Sequence, residues 1–144
     1  MSNCYLMVKR KAMRDHVCYE CRGFIKRGEH YHYHSGVWEG RPYSYKICFE
    51  CDELRDHVES GVDYTSDDER IGFGDLIGSM SEFFDGESLM ECYYMYGDIK
   101  MKRGGPISKY IIEEIMDLDP LYGHCLIQHV EQMNNSIDDA VKSS

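Results

Sequence analysis

Histidine and tyrosine alternate through residues 28–36, GEHYHYHSG. A period of two is the signature of a strand, with His30, His32 and His34 on one face and Tyr31 and Tyr33 on the other. The turn-forming SGVWEGRP and then YSYKI follow, which predicts a β-hairpin. Beyond it, DELRDHVES places Asp52 and Glu53 in a helix first turn and Leu54 and Val58 four apart on one face. Residues 59–70, ESGVDYTSDDER, are polar and acidic and predict a loop, with Ser66 or Asp67 able to cap a short turn. GDLIGSMSEFF then sets Leu76, Ile77, Met80, Phe83 and Phe84 at helical spacing, stopped by Asp85-Gly86. ESLMECYYMYGDIKMK fits helix and strand alike, and Gly104-Gly105-Pro106 breaks the chain after it. ISKYIIEEIMDLD predicts a second helix, with Ile111, Ile112, Ile115 and Met116 on one face. Asp119-Pro120 predicts a cap with proline at the first helical position. LYGHCLIQHVEQMN predicts a third helix, its apolar stripe formed by Leu121, Cys125, Ile127, Val130 and Met133, before a fraying tail, NSIDDAVKSS.

The 144 residues suit one ordinary domain, or a small module with a helical extension. The pattern divides the chain into a module over 1–60, an acidic helical extension over 61–136 packed on it, and a flexible tail over 137–144. The charge changes sign near the first boundary. Residues 1–46 hold nine Lys/Arg against four Asp/Glu, and residues 47–144 hold seven against 22. The acidic part is expected to repel nucleic acid or imitate it, which leaves any phosphate contact to the first third. No apolar run is long enough for a membrane span, and the short apolar patch from Tyr5 to Val8 precedes its charges, the reverse of a secretory leader. The expected setting is a reducing cytoplasm.

That setting bears on the seven cysteines. An odd number of reduced cysteines points to metal ligands plus spare thiols rather than a disulfide framework. Cys18-x2-Cys21 and Cys48-x2-Cys51 stand 26 residues apart. A C-x2-C turn brings two sulfurs to one ion, and two such pairs complete a tetrahedral Zn2+ site. One structural zinc held by Cys18, Cys21, Cys48 and Cys51 is therefore expected. The second pair falls at a predicted helix N-terminus, where the dipole favours thiolate. Cys4, Cys92 and Cys125 remain as semi-buried packing residues.

Knuckle, hairpin and a helix bearing the second pair form the treble-clef arrangement, so the predicted class is α+β. Residues 15–56 resemble a group of small bacteriophage-encoded zinc proteins. The resemblance rests on the HxCxxC start (His16 to Cys21), an I-x-x-G-E-x-Y strand (Ile25 to Tyr31), a G-x-W-x-G turn (Gly36 to Gly40) and a C-x-x-C-x-x-L-R helix start (Cys48 to Arg55). It extends weakly into IGFGDLIGSMSEFF and covers under half of the chain. It implies a zinc fold and a phage setting, and no reaction.

With four thiolates on the zinc, the histidines are not needed for it. They form the open side of the hairpin, facing solvent or another element, while Tyr31 and Tyr33 pack on the knuckle and helix. The less favoured reading is a second metal at His30, His32 and His34. Treble clefs also scaffold metal-dependent nucleases, and His32 or His34 with His57 imitates such a constellation without the usual general-base arrangement. His16 is a candidate donor to a zinc thiolate, or else packs on the knuckle. Trp38 is expected partly buried, with an exposed partner anchor as the alternative.

No nucleophile–base pair or phosphate loop accompanies the zinc motif. The sequence therefore predicts a non-enzymatic protein, and the phage resemblance together with the acidic charge implies one that binds and inhibits a host protein or ribonucleoprotein complex, in the manner of an anti-CRISPR. Acidic side chains, namely Asp67, Asp68, Glu69 and Asp75 with Glu113, Glu114 and Asp117, are its candidate phosphate-like array, and a homodimer is a further possibility. The alternative is direct nucleic-acid binding through Lys9, Arg10, Lys11, Arg14, Arg22, Lys26, Arg27 and Arg41.

Overall fold

A computed structural model describes residues 4–61 and 71–142, with side chains as far as Met133. Asp67, Asp68 and Glu69, and the turn expected at Ser66, lie outside the described residues. The chain runs β1 (Cys4–Lys11), β2 (His16–Val17), β3 (Phe24–Ile25), β4 (His30–Trp38), β5 (Arg41–Ile47), α1 (Phe49–Ser60), α2 (Leu76–Phe83), α3 (Gly86–Arg103), α4 (Lys109–Leu118) and α5 (Pro120–Lys142). This is the expected α+β class, with a cysteine knuckle, a hairpin and a helix in that order and a helical C-terminal part.

β4 and β5 pair antiparallel, closing with Trp38 opposite Arg41. Only Glu39 and Gly40 lie between, at φ 50° and 79°, and positive φ at both central residues is the two-residue turn that matches strand twist. The sheet has a third strand that the hydrophobic pattern does not announce. β1 pairs antiparallel with the other edge of β4, giving the order β1-β4-β5. Its side chains are exposed except for the half-buried Val8, so it carries no alternation to read.

The knuckle hangs between β2 and β3, which pair His16 with Ile25 and Val17 with Phe24. The Tyr19 N–H donates to the Lys46 carbonyl at 2.8 Å, fastening the knuckle to β5. Glu20, inside the first C-x2-C, is a buried carboxylate. It accepts from the Arg55 guanidinium at 2.7 Å and from the backbone N–H of Gly74 and Leu76 at 3.1 and 2.8 Å. Arg55 in turn donates to the Ile71 and Gly72 carbonyls. One ion pair thus fixes the knuckle, α1 and the entry to α2.

α3 resolves the ambiguous segment as helix. Leu89, Cys92, Tyr93, Tyr96, Ile99, Lys100 and Arg103 are buried, a stripe at helical spacing whose last two members are cations. Leu54 and Val58 of α1, Leu76 and Met80 of α2, Ile111 and Ile115 of α4, and Leu126 and Val130 of α5 join it in one core. The cap at Asp119 forms as the sequence predicts, its carboxylate accepting the Tyr122 N–H at 3.1 Å. The stripe of α5 is turned from the expected one. Leu121 is 85% exposed and Cys125 is exposed, while Gly123, Leu126 and Val130 face the core. Gly123 decides this phase, because Met116 and Ile115 of α4 fill the space where a Cβ would sit. The helical backbone of α5 continues to Lys142, through most of the segment expected as a tail.

Candidate metal centre

The loop after β5 enters α1 through Cys48, the N-cap residue, and places Cys51 in the first turn. The knuckle brings Cys18 and Cys21 against them. All four cysteines are buried, and their Sγ atoms lie within 4.8 Å of one another. Cys18 and Cys51 Sγ are 3.7 Å apart. Tetrahedral zinc with Zn–S bonds near 2.3 Å needs sulfurs about 3.8 Å apart. The four cysteines therefore fit one structural Zn2+ site.

The backbone prepares these sulfurs for negative charge. The Cys48 N–H points to Cys18 Sγ and the Gly23 N–H to Cys21 Sγ, each at 3.4 Å. Hydrogen bonds from Cys21, Cys48 and Cys51 hold the Cys18 thiol far below its ordinary range. The same crowding, with burial, pushes the Cys48 and Cys51 thiols up. Four such neighbours cannot all ionise alone, and a divalent cation is what lets them.

A zinc tetrathiolate carries a double negative charge, and α3 supplies cations beside it. Lys100 is fully buried and donates from Nζ to the Cys21 and Pro106 carbonyls, both at 2.9 Å. Burial pulls its ammonium below the usual lysine range, and the four cysteines oppose that pull. Arg103, 3% exposed, donates to Glu50 at 2.7 and 3.0 Å and to the Phe24 carbonyl at 3.0 Å. It also pairs with Glu29 at 3.1 Å. Burial pushes the Glu50 carboxyl up, but hydrogen bonds from Lys102 and Arg103 outweigh it and bring it down to about 2. Gly23 permits this approach, since a Cβ there would stand 2.7 Å from the Arg103 Cβ. The helical part is thus a wall of the zinc site. Sequence reasoning missed Lys100 and Arg103, although two cations inside an apolar helical stripe are a signal that something negative faces them.

The other candidate residues are distributed as follows. His16 sets its ring on Tyr31 at 5.6 Å, edge to face. Hydrogen bonds to zinc-site sulfurs among the described residues come instead from backbone N–H groups and a neighbouring thiol. Trp38 is 59% exposed, which corrects the expected partial burial, because it ends β4 just before the tight turn. His30 is exposed at the start of β4. His32 and His34 meet Asp52 of α1. Asp52 was not foreseen, because its role depends on α1 lying against the sheet. His57 stands by Glu91 of α3, at 4.0 Å, and is not part of that group. Cys92 is buried, and Cys4 and Cys125 are exposed rather than semi-buried.

Of the acidic candidates, Asp75, Glu113 and Asp117 are exposed, while Glu114 accepts the Tyr93 hydroxyl hydrogen bond. Lys9, Arg10, Lys11, Arg14, Arg22, Lys26, Arg27 and Arg41 are all exposed. Arg10 stacks on Tyr33 at 3.8 Å and Arg22 on Tyr19 at 4.7 Å. No helix among the described residues is long and apolar enough to cross a membrane. No protein-family model, no curated protein and no solved structure matches the chain.

Proposed function

We propose that this chain is a non-enzymatic, zinc-stabilised binding protein of phage type. It acts in a reducing cytoplasm by engaging a host nucleic-acid-processing or defence complex through protein–protein contacts and inhibiting it. One observation carries the binding reading. Tyr5, Met7 and Trp38 are 57%, 44% and 59% exposed, and the strand register puts all three on one face of the sheet. An aromatic and methionine patch on a framework held by zinc is the composition of a binding surface. It flanks β1, an edge strand that pairs only with β4 among the described residues and offers its other edge to an extended segment of a partner. Four thiolates close the zinc and leave no position for a reacting water, which supports a structural rather than a catalytic ion. The phage setting is supported by the resemblance of residues 15–56, and the inhibitory mode by the acidic excess of the helical part.

The second reading, a nucleic-acid-binding module, is favoured by the exposure of Lys9, Arg10, Lys11, Arg14, Arg22, Lys26, Arg27 and Arg41, eight of the nine Lys/Arg of residues 1–46. A gel shift on DNA and RNA at low and high salt separates the two. The binding-protein reading expects no salt-sensitive shift, and a stoichiometric complex with a host protein that Trp38→Ala weakens while zinc content stays unchanged. A strong shift that collapses with added salt overturns it.

A further inference from the structure

The histidine strand and α1 build a second constellation next to the tetrathiolate. β4 presents His32 and His34 on one face, two residues apart. α1 sets Asp52, the residue after Cys51, against both. His32 Nδ1 lies 2.5 Å and His34 Nε2 2.9 Å from Asp52 Oδ2. The three donor atoms fall within 4.8 Å of one another.

We propose that His32, His34 and Asp52 form a second metal site, distinct from the four-cysteine centre, for a first-row divalent transition ion. Two imidazoles and one carboxylate are the donor set that such ions accept, whereas the cysteine centre is all sulfur. The donors come from a paired strand and a helix first turn, so their convergence is imposed by the fold. Metal–nitrogen and metal–oxygen bonds of about 2.0–2.2 Å require donor separations of roughly 3.0–3.5 Å. The two separations to Asp52 Oδ2 are somewhat shorter, because the carboxylate closes on both rings. A small withdrawal of the Asp52 side chain opens the space.

The surroundings are those of a ligand pair. His34 Nδ1 is hydrogen-bonded to the Tyr5 hydroxyl at 2.5 Å, which fixes the ring and leaves Nε2 for the ion. Phe49 packs on His32 at 4.3 Å and Phe73 on His34 at 4.9 Å, giving apolar walls. His32 and Asp52 keep 24% and 14% of their side-chain surface exposed, so an ion has an entry path. Without the ion, His32 Nδ1 and His34 Nε2 share hydrogen bonds with Asp52 Oδ2, and His34 Nδ1 shares one with the Tyr5 hydroxyl. With it, each ring carries its proton on the other nitrogen, and His34 Nδ1–H donates to the Tyr5 oxygen. His30, the third member of the alternating run, takes no part. Three protein donors leave at least one coordination position for water or for a donor from a partner.

The test uses the full chain without a polyhistidine tag, loaded with Co2+ in modest excess. Native mass spectrometry counts ions, and the thiolate-to-cobalt charge-transfer band reports the cysteine centre separately. Wild type is expected to hold two ions per chain. Asp52→Asn and His32→Gln each reduce the count to one with the thiolate band intact, which shows that the chain remains folded. Tyr5→Phe keeps both ions at saturation but weakens the second by about 10–100-fold. One ion per wild-type chain in excess metal overturns the proposal. So does a count of two that survives both Asp52→Asn and His32→Gln.

Discussion

Lys100→Met tests whether the helical part belongs to the zinc centre. The substitution keeps an unbranched apolar stem in a site that is fully buried, and removes the ammonium. Two hydrogen bonds vanish, those to the Cys21 and Pro106 carbonyls. Hydrogen bonds from a charged donor contribute about 1.5–3 kcal/mol each, so the gross loss is about 3–6 kcal/mol. Part of this returns, because methionine carries no charge to desolvate. The expected net destabilisation is about 2–4 kcal/mol, which lowers Tm by roughly 5–15 °C in a chain of this size. The tetrathiolate also loses its buried counter-cation, so a competing chelator should strip zinc faster from the variant. Thermal unfolding followed by circular dichroism and chelator-driven zinc release measured with a metal indicator read the two effects. If Tm stays within about 2 °C and zinc leaves at the wild-type rate, the desolvation cost of Lys100 cancels its bonds, and the cation does not support the site.

Glu20→Gln weakens the junction of knuckle, α1 and α2, because the neutral amide keeps only one acceptor oxygen for three donors and no charge for Arg55. A loss of about 2–4 kcal/mol by urea unfolding is expected, and no loss would mean that the ion pair is stability-neutral. Tyr122 gives a pH dependence. Burial, with the charge of Asp98, raises its phenol to about 12, while the unfolded chain ionises near 10. The stability linked to Tyr122 is therefore complete below pH 10 and is lost as pH rises from 10 to 12. Tyr122→Phe should flatten that part of the stability–pH curve, and an unchanged slope would show that this phenol is not its source.

The cysteine framework was legible because its signal is local. Two C-x2-C pairs and the helix-forming DELRDHV specify ligands, knuckle and helix N-terminus without long-range knowledge. The segment of α3 fitted helix and strand alike, whereas α2, α4 and α5 were legible from their stripes, with a failure of phase in α5. There Leu121 and Cys125 look apolar enough to face inward, but Gly123 alone allows the close approach of Met116, so Leu126 faces the core instead. β1 escaped because an exposed edge strand buries nothing and so alternates nothing. In α3, Lys100 and Arg103 lie in the buried stripe, and cations there make sense only once the thiolates are in place. The His32–His34–Asp52 group joins residues about 20 apart, and only the packing of α1 on the sheet brings them together. Trp38 illustrates the opposite error, where a general preference for packing large side chains yields to position at a hairpin tip.

The central claim is that Cys18, Cys21, Cys48 and Cys51 hold one zinc that organises the module. Its most direct test is native mass spectrometry of Asp52→Asn and of Asp52→Asn with Cys48→Ser, each purified without added metal and paired with hydrogen exchange over residues 4–61. The first variant should carry one zinc per chain. The second should carry none and lose protection across the knuckle, the hairpin and the start of α1. A double variant that keeps its zinc and its protection would contradict the four-cysteine centre.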